Sequence, residues 1–334
     1  MKLDINLRVL FSVLFLILLT STIYPTNSNA EKPSSEVTQS APCVGNGTGI
    51  ITLPGTTDCE LQPDVQKIIF LRVDLCTEEP TAPTTSAALD RTNCTTFFRN
   101  DDGAEVSVQQ GVGTQIGEAS DYSAVPHGIY THGSITMSSV FKYTSSVTFT
   151  GTMTDASDTG GSTTCVTRPG TTSIMYGFHN NQSAAQSNVN CDAGAVASEI
   201  SIGINTMTMD GNNDCNHLLN FNGTNGVVAG YALEADDTLV DGVGVVDTDQ
   251  IKANEIGCRS GVDNGISKVM GVMTLADPLV IGANTAGIQI KYNNTQGLKL
   301  DDGGGTNRIF KWDVAFFDFT ITAKKARRGR GSWR

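Results

Sequence analysis

Residues 65–76 read Val65-Gln66-Lys67-Ile68-Ile69-Phe70-Leu71-Arg72-Val73-Asp74-Leu75-Cys76, and their pattern decides the fold class. Val65, Lys67, Ile69, Leu71, Val73 and Leu75 share one parity; Gln66, Ile68, Phe70, Arg72 and Asp74 share the other. Successive strand side chains point to opposite faces, so this period of two marks a half-buried strand. The first parity is apolar apart from Lys67, which predicts that the odd-numbered face meets the core. Ile68 and Phe70 add a second apolar patch.

Working outward, strand-like segments recur at 95–99, 105–108, 128–143 and 147–153, separated by Asp-Asp-Gly, Gly-rich and Ser-Ser turns. Ile135, Met137, Phe141 and Tyr143 alternate with Thr136, Ser138 and Lys142, again with period two. From 154 to about 268 the chain is less regular, with strand-like pieces at 173–178, 199–204 and 218–221. Regular strands return at 268–275, 287–292 and 308–322. The last is the most aromatic stretch, with Phe310, Trp312 and Phe316 on one parity and Phe317 and Phe319 on the other. A bulge near Phe316, or burial of both faces, reconciles the two parities. Charged residues make up only 17 % of the chain, and Gly, Thr, Ser and Asn are plentiful. Threonine and valine suit strands, glycine and asparagine suit turns. The expected fold is all-β: an antiparallel β-sandwich with long loops and a disulfide-rich excursion over about 154–268.

Residues 1–30 read as a cleavable export signal. Lys2 and Arg8 give a positive start, residues 9–19 a short apolar core, and Ser28-Asn29-Ala30 a small-residue exit. The apolar run falls short of the roughly 20 residues of a membrane-spanning helix. The chain is therefore expected outside the cytoplasm, as an extracellular, cell-surface or periplasmic protein with no transmembrane segment in its mature form. Residues 31–42 read as a disordered leader, 43–323 as the sandwich body and 324–334 as a basic tail.

All eight cysteines follow the signal, which predicts four disulfides in an oxidising compartment. Connectivity stays open in the sequence; pairing of neighbours gives Cys43 with Cys59, Cys76 with Cys94, Cys165 with Cys191, and Cys215 with Cys258. Residues 77–93 are rich in Pro, Thr and Ala and read as a loop joining two strands. The absence of any C-x-x-C argues against zinc and thioredoxin-type redox sites.

The formal net charge of −12 is uneven: residues 31–323 carry 14 basic and 33 acidic side chains, whereas Lys324, Lys325, Arg327, Arg328, Arg330 and Arg334 lie in a tail without acids. Such a body repels phosphate backbones, so a nucleic-acid partner is not expected.

The runs Ile68-Ile69-Phe70-Leu71-Arg72-Val73-Asp74-Leu75-Cys76, Cys94-Thr95-Thr96-Phe97-Phe98 and Val125-Pro126-His127-Gly128-Ile129-Tyr130-Thr131 carry a resemblance. Together they resemble exported bacterial β-sandwich surface proteins of unknown function, and the Pro126-x-Gly128-x-Tyr130 corner is similar to one in prealbumin-like sandwiches. The corner has a physical reason: Pro sets φ, Gly permits a tight entry, and Tyr caps the core. The likeness covers mainly residues 65–153. It implies a surface or adhesive role and transfers no catalytic residues.

Candidate chemistry is sparse. Asp210, Asn212, Asp214 and Asn216 place oxygen ligands at alternate positions, as a calcium loop does. Cys215 and Phe221 occupy the positions where an EF-hand needs Gly and the bidentate Glu, so only a looser calcium-stabilised loop remains, beside the reading of a plain turn. Calcium is the one cofactor these residues suggest. Glu234, Asp236, Asp237, Asp241, Asp247 and Asp249, and Asp301 with Asp302, read first as solvated acidic loops. His127, His132, His179 and His217 read as structural, and no nucleophile elbow occurs. Asn46, Asn93, Asn181, Asn222 and Asn293 begin N-x-S/T triplets. The functional expectation is an exported structural or adhesive cell-surface protein, non-enzymatic. Its alternatives are a secreted carbohydrate-binding or glycan-cleaving protein, and a surface-filament subunit that self-associates by strand addition. Partners would be a glycan, another surface component, or the chain itself. Trp312 discriminates: exposed on a concave face beside paired carboxylates, it would favour a glycan.

Overall fold

The computed structural model describes residues 42–45, 50–52, 59–84, 86–108, 113–155, 161–169, 175–177, 188–204, 218–223, 226–239, 267–301, 307–309, 311–314 and 318–325. All lie within one unit, Pro33–Arg334. Among them the regular structure is β apart from one short 3-10 turn, Ala119–Asp121.

The strands, in chain order, begin with β1 (Val44–Gly45), β2 (Ile50–Thr52), β3 (Cys59–Leu61), β4 (Val65–Cys76), β5 (Cys94–Val108), β6 (Gly128–Ser138), β7 (Val140–Thr144), β8 (Ser146–Met153), β9 (Ser162–Thr167) and β10 (Met175–Gly177). They continue with β11 (Val189–Asn190), β12 (Ile200–Ile204), β13 (Leu218–Gly223), β14 (Gly226–Leu233), β15 (Lys268–Ile281), β16 (Thr285–Asn293), β17 (Leu298–Asp301), β18 (Lys311–Val314) and β19 (Asp318–Lys325). A nine-stranded sheet has the order β10-β12-β7-β4-β6-β15-β14-β13, with β5 on β4. Beside it are a five-stranded sheet β1-β2-β8-β9-β11, a three-stranded sheet β18-β17-β3 and a ribbon β16-β19. Pairing is antiparallel except for β10 with β12 and β2 with β8.

The residues that opened the sequence form β4, the middle of the large sheet. β5 runs along one edge of it, pairing Gln66 with Val108 and Phe70 with Ala104. β6 and β7 lie end to end along the other, pairing Phe70 with Met137 and Gln66 with Tyr143. Against β6 the register of β4 shifts by one between Phe70 and Arg72, which makes Leu71 the extra residue of a bulge; against β5 the surplus lies on β5, where residues 100–103 stand opposite Leu71. The bulge corrects the expected facing. Ile68 and Phe70 continue onto Val73 and Leu75 in the main core, whereas Lys67, Ile69, Arg72 and Asp74 share the outer face.

Two expected long strands are divided. Residues 128–143 break at Ser139, whose N–H donates to the Ser267 carbonyl (3.1 Å) while the Ser138 hydroxyl accepts from Val140 N–H (3.1 Å). The sheet forks there: β6 leads to β15, β14 and β13, and β7 leads to β12 and β10. Residues 308–322 contain β18 and β19, which belong to different sheets. Trp312 of β18 and Phe319 of β19, one from each parity, are both buried, as burial of both faces requires; Phe310, Phe316 and Phe317 lie outside the described residues. Conversely, β15 runs past the expected end at Leu275 to Ile281, with Pro278 inside a register irregularity between Thr274 and Leu279, where a missing N–H costs no ladder bond.

The ribbon covers the inner face of the large sheet. Phe319 meets the edge of Phe70 (centroids 6.2 Å apart, planes at 77°) and packs on Tyr292 (4.8 Å). Ile321 lies so close to Gly133 that an added Cβ there would stand 2.7 Å from its Cδ1. Trp312 is fully buried in the same core, its backbone N–H and C=O both bonded to the Asn188 side chain at 2.8 and 2.9 Å. A second inward polar chain links β4 to the turn after β16: Asn294 Nδ2 donates to Gln66 Oε1, and Gln66 Nε2 donates to Tyr143 Oη, each at 3.1 Å. The corner residue Tyr130 is buried, and its hydroxyl donates to the Pro126 carbonyl (2.9 Å).

Disulfides join Cys43 to Cys59, Cys76 to Cys94 and Cys165 to Cys191. Cys215 and Cys258 lie outside the described residues. The middle segment contributes to two sheets, and Cys165, Val189, Cys191, Ile200 and Ile202 are buried in the common core. Replacing Phe319 by Ala removes the ring that joins ribbon and sheet. Denaturant titration is expected to show a loss of about 3–5 kcal/mol, against less than about 0.5 kcal/mol for Ala at the exposed Val196.

Candidate functional site

The structure disperses the residues that the sequence singled out. Asp210, Asn212, Asp214 and Asn216 lie outside the described residues, as do His179, His217, Asp241, Asp247, Asp249 and Asp302. Asp301 ends β17. Asp236 is spent on its own turn, accepting from Thr238 N–H (3.0 Å) and hydroxyl (2.6 Å); the hydroxyl first, then the backbone bond, holds this carboxyl below its ordinary range. Asp237 accepts from Lys268 Nζ at 2.6 Å. His127 is exposed and His132 is half-buried. Among the described residues no three His, Cys, Asp or Glu side chains gather as a metal site.

The most concentrated chemistry lies instead on the outer face of the large sheet, around a carboxylate that sequence reasoning passed over. Asp74 is fully buried, yet it follows Arg72 by two residues on the same face of β4. Arg72 Nε donates to both carboxylate oxygens, at 2.8 and 3.0 Å. Arg91 Nε reaches Oδ2 at 3.0 Å, the Thr96 hydroxyl donates to Oδ1 at 2.8 Å, and the Ser134 hydroxyl lies 3.5 Å from Oδ2. Arg72 Nη2 in turn donates to Thr96 Oγ1 (2.6 Å), closing the ring of contacts. An Arg-x-Asp inside an apolar strand, with another Arg just before the next cysteine, was the available signal.

Arg91 belongs to the loop 77–93, which the Cys76–Cys94 disulfide closes. The loop folds back over the outer face. Thr81 bridges Asp90, Thr84 bridges Ala87, and Leu239 N–H donates to the Thr84 carbonyl (2.9 Å). Leu89 thereby enters a second apolar cluster with Tyr231, Leu233, Met270 and Val272. Arg91 Nη1 donates to the Leu89 carbonyl (3.3 Å), so one guanidinium ties loop, cluster and carboxylate together.

Beside this cluster, burial pushes the Tyr231 phenol up to about 12, with the Glu79 carboxylate adding to the shift. Burial lowers the His132 pKa, and Glu79 opposes it. The Thr131 hydroxyl donates to the Thr77 carbonyl (2.8 Å), so in its 2.9 Å contact with His132 Nδ1 the ring N–H is the donor. Farther along the same face, Lys67 bridges Glu105 (3.5 Å) and Glu199 (2.7 Å), tying strands β5, β4 and the start of β12 together.

A carboxylate offers about four lone-pair positions. Those of Asp74 are taken by two guanidinium groups and two hydroxyls. The arrangement acts as a clasp: it neutralises a buried charge and pins the loop. Compared with known proteins, the chain matches no family model, no curated protein and no solved structure.

Three outcomes follow from this geometry. Asp74→Asn leaves two arginines facing a neutral amide, and a loss of about 3–5 kcal/mol is expected in denaturant melts. Adding Arg91→Ala to it should cost less than the sum of the single changes, because both remove the same contact. The Tyr231 phenol, raised above its ordinary value of 10.0, adds stability at all pH below 10 and loses it as pH climbs toward about 12. Tyr231→Phe should therefore flatten the alkaline limb of a stability–pH profile while leaving the neutral region in place.

Proposed function

We propose that this protein is an exported structural or adhesive component of the cell surface that performs no chemistry of its own. The observation that carries this reading is the burial of Trp312, the side chain whose exposure would favour a glycan site, within the main core. Phe70, Phe98, Phe141, Phe149 and Phe319 are likewise buried, so these rings serve packing rather than a binding platform. The Asp74 cluster, on the outer face, likewise spends its charges on one another. Three disulfides fit an oxidising, non-cytoplasmic compartment. No helix among the described residues is long and apolar enough to cross a membrane. The bond from Tyr130 to Pro126 closes the corner on which the resemblance was drawn.

Biotinylation of intact cells with a membrane-impermeant reagent is expected to label the protein, and its deletion is expected to reduce attachment of cells to surfaces or to one another. A glycan array and a panel of polysaccharide hydrolysis assays should give no signal. Saturable binding of one glycan, or release of reducing sugar, would replace this reading by the carbohydrate-active one. Recovery of the protein only from the cytoplasm would remove both.

A further inference from the structure

We infer that Asn293 is a glycosylation site, whose side-chain nitrogen receives an oligosaccharide as the chain is exported. The inference rests on export and not on a structural or adhesive role. An N-x-S/T triplet marks an acceptor where its asparagine stands at the surface of an exported chain. Five triplets occur, and the structure separates them. Asn46 and Asn181 lie outside the described residues, and Asn222 lies within β13. Asn93 and Asn293 remain, and both are exposed.

The nitrogen of Asn93 is already in use. Its Nδ2 donates to Glu78 Oε2 (3.0 Å), and its backbone carbonyl accepts from the Thr77 N–H (3.0 Å) and hydroxyl (3.3 Å). The middle residue of its triplet, Cys94, is bonded to Cys76, and the third, Thr95, stands opposite Leu75 in the ladder. A sugar on Asn93 would displace the Glu78 contact beside that disulfide.

Asn293 is arranged differently. It ends β16, and its Oδ1 accepts from the Thr295 N–H (3.2 Å) and hydroxyl (3.0 Å), an Asx turn that joins the two defining residues of the triplet. Both bonds fall on the oxygen, so the turn does not engage Nδ2. A sugar on that nitrogen leaves the carbonyl in place and preserves the turn. Because its partners are two residues apart, the turn needs no assembled sheet. In the folded chain its other residues hold it from the inner side. Asn294 is buried and reaches Gln66, and Gln296 Nε2 donates to Glu60 Oε2 at 3.2 Å. Gly297 packs so closely that an added Cβ would stand 3.0 Å from Asn294 Cβ. Asn293 and Thr295 are left exposed on a firmly seated turn, where a bulky polar group meets water.

The donor class is an oligosaccharide carried on a lipid pyrophosphate, used by a transferase of the exporting membrane. The bond from the sugar's anomeric carbon to the pyrophosphate oxygen breaks and a C–N bond to Asn293 Nδ2 forms. The amide nitrogen gives up one proton, and the lipid pyrophosphate leaves; nothing is oxidised or reduced.

Peptide mapping by mass spectrometry of the full chain, purified from its own source, is expected to place sugar mass on the peptide that contains Asn293 and none on the one that contains Asn93. Asn293→Gln should remove that mass. Thr295→Ala should remove it as well, whereas Thr295→Ser, which keeps the hydroxyl, should retain it. This pair separates acceptor recognition from a folding defect, because both changes shorten the same exposed side chain. An exported, disulfide-bonded chain whose Asn293 is unmodified overturns the inference and leaves the surface role standing. Sugar mass on the Asn293 peptide that persists in Thr295→Ala also overturns it. A chain recovered only from the cytoplasm, with residues 1–30 retained, overturns both.

Discussion

Everything in this fold depends on one surplus residue in its central strand. Without the bulge at Leu71, Ile68 and Phe70 would face away from Val73 and Leu75, and neither side of β4 would be a continuous apolar surface. With it, four core residues align inward and Arg72 and Asp74 turn outward together. The strand thereby acquires a hydrophobic side that the ribbon covers and a charged side that needs its own cover. A carboxylate placed on the middle strand of a nine-stranded sheet cannot reach bulk water, so partners must be brought to it.

The loop closed by Cys76 and Cys94 meets that need. Its Arg91 neutralises the carboxylate while its Leu89 fills the apolar surface beside it. Two requirements, charge compensation and apolar coverage, are satisfied by neighbouring residues of one short segment whose ends are held by a covalent bond. A sheet with one core face and one solvated face is the common antiparallel arrangement. Here part of the second face is closed as well, and the second apolar cluster is the result.

Much of this architecture was legible in the chain. Period-two alternation located β4, β16 and the start of β15, and the order of the cysteines suggested the three disulfides that the described residues contain. The bulge was not legible, because neither Gly nor Pro marks Leu71 and its parity reads smoothly through. The break at Ser139 is hidden for a similar reason: Ser138-Ser139 looks like ordinary polar alternation until two different partner strands draw the chain apart. The run of β15 past Leu275 was hidden in the opposite sense, since Pro278 reads as a strand end unless a bulge is there to receive it. The Asp74 cluster joins residues from β4, the following loop, β5 and β6, with Ser134 sixty positions from Asp74. Only the sheet register brings those together.

The pairing of β3 with β17 has a consequence for the order of events in folding. Leu61 lies opposite Leu298, and Cys59 opposite Leu300, so an early segment of the body waits for one near its end. β4 likewise needs β6, and β6 needs β15, before the large sheet closes. The observed disulfides have short spans of 16, 18 and 26 residues and can form while the chain is still emerging. Contacts of high sequence separation form slowly and leave strand edges exposed meanwhile. The chain thus passes through a stage of locally stapled loops, and its core assembles only once the last strands have followed.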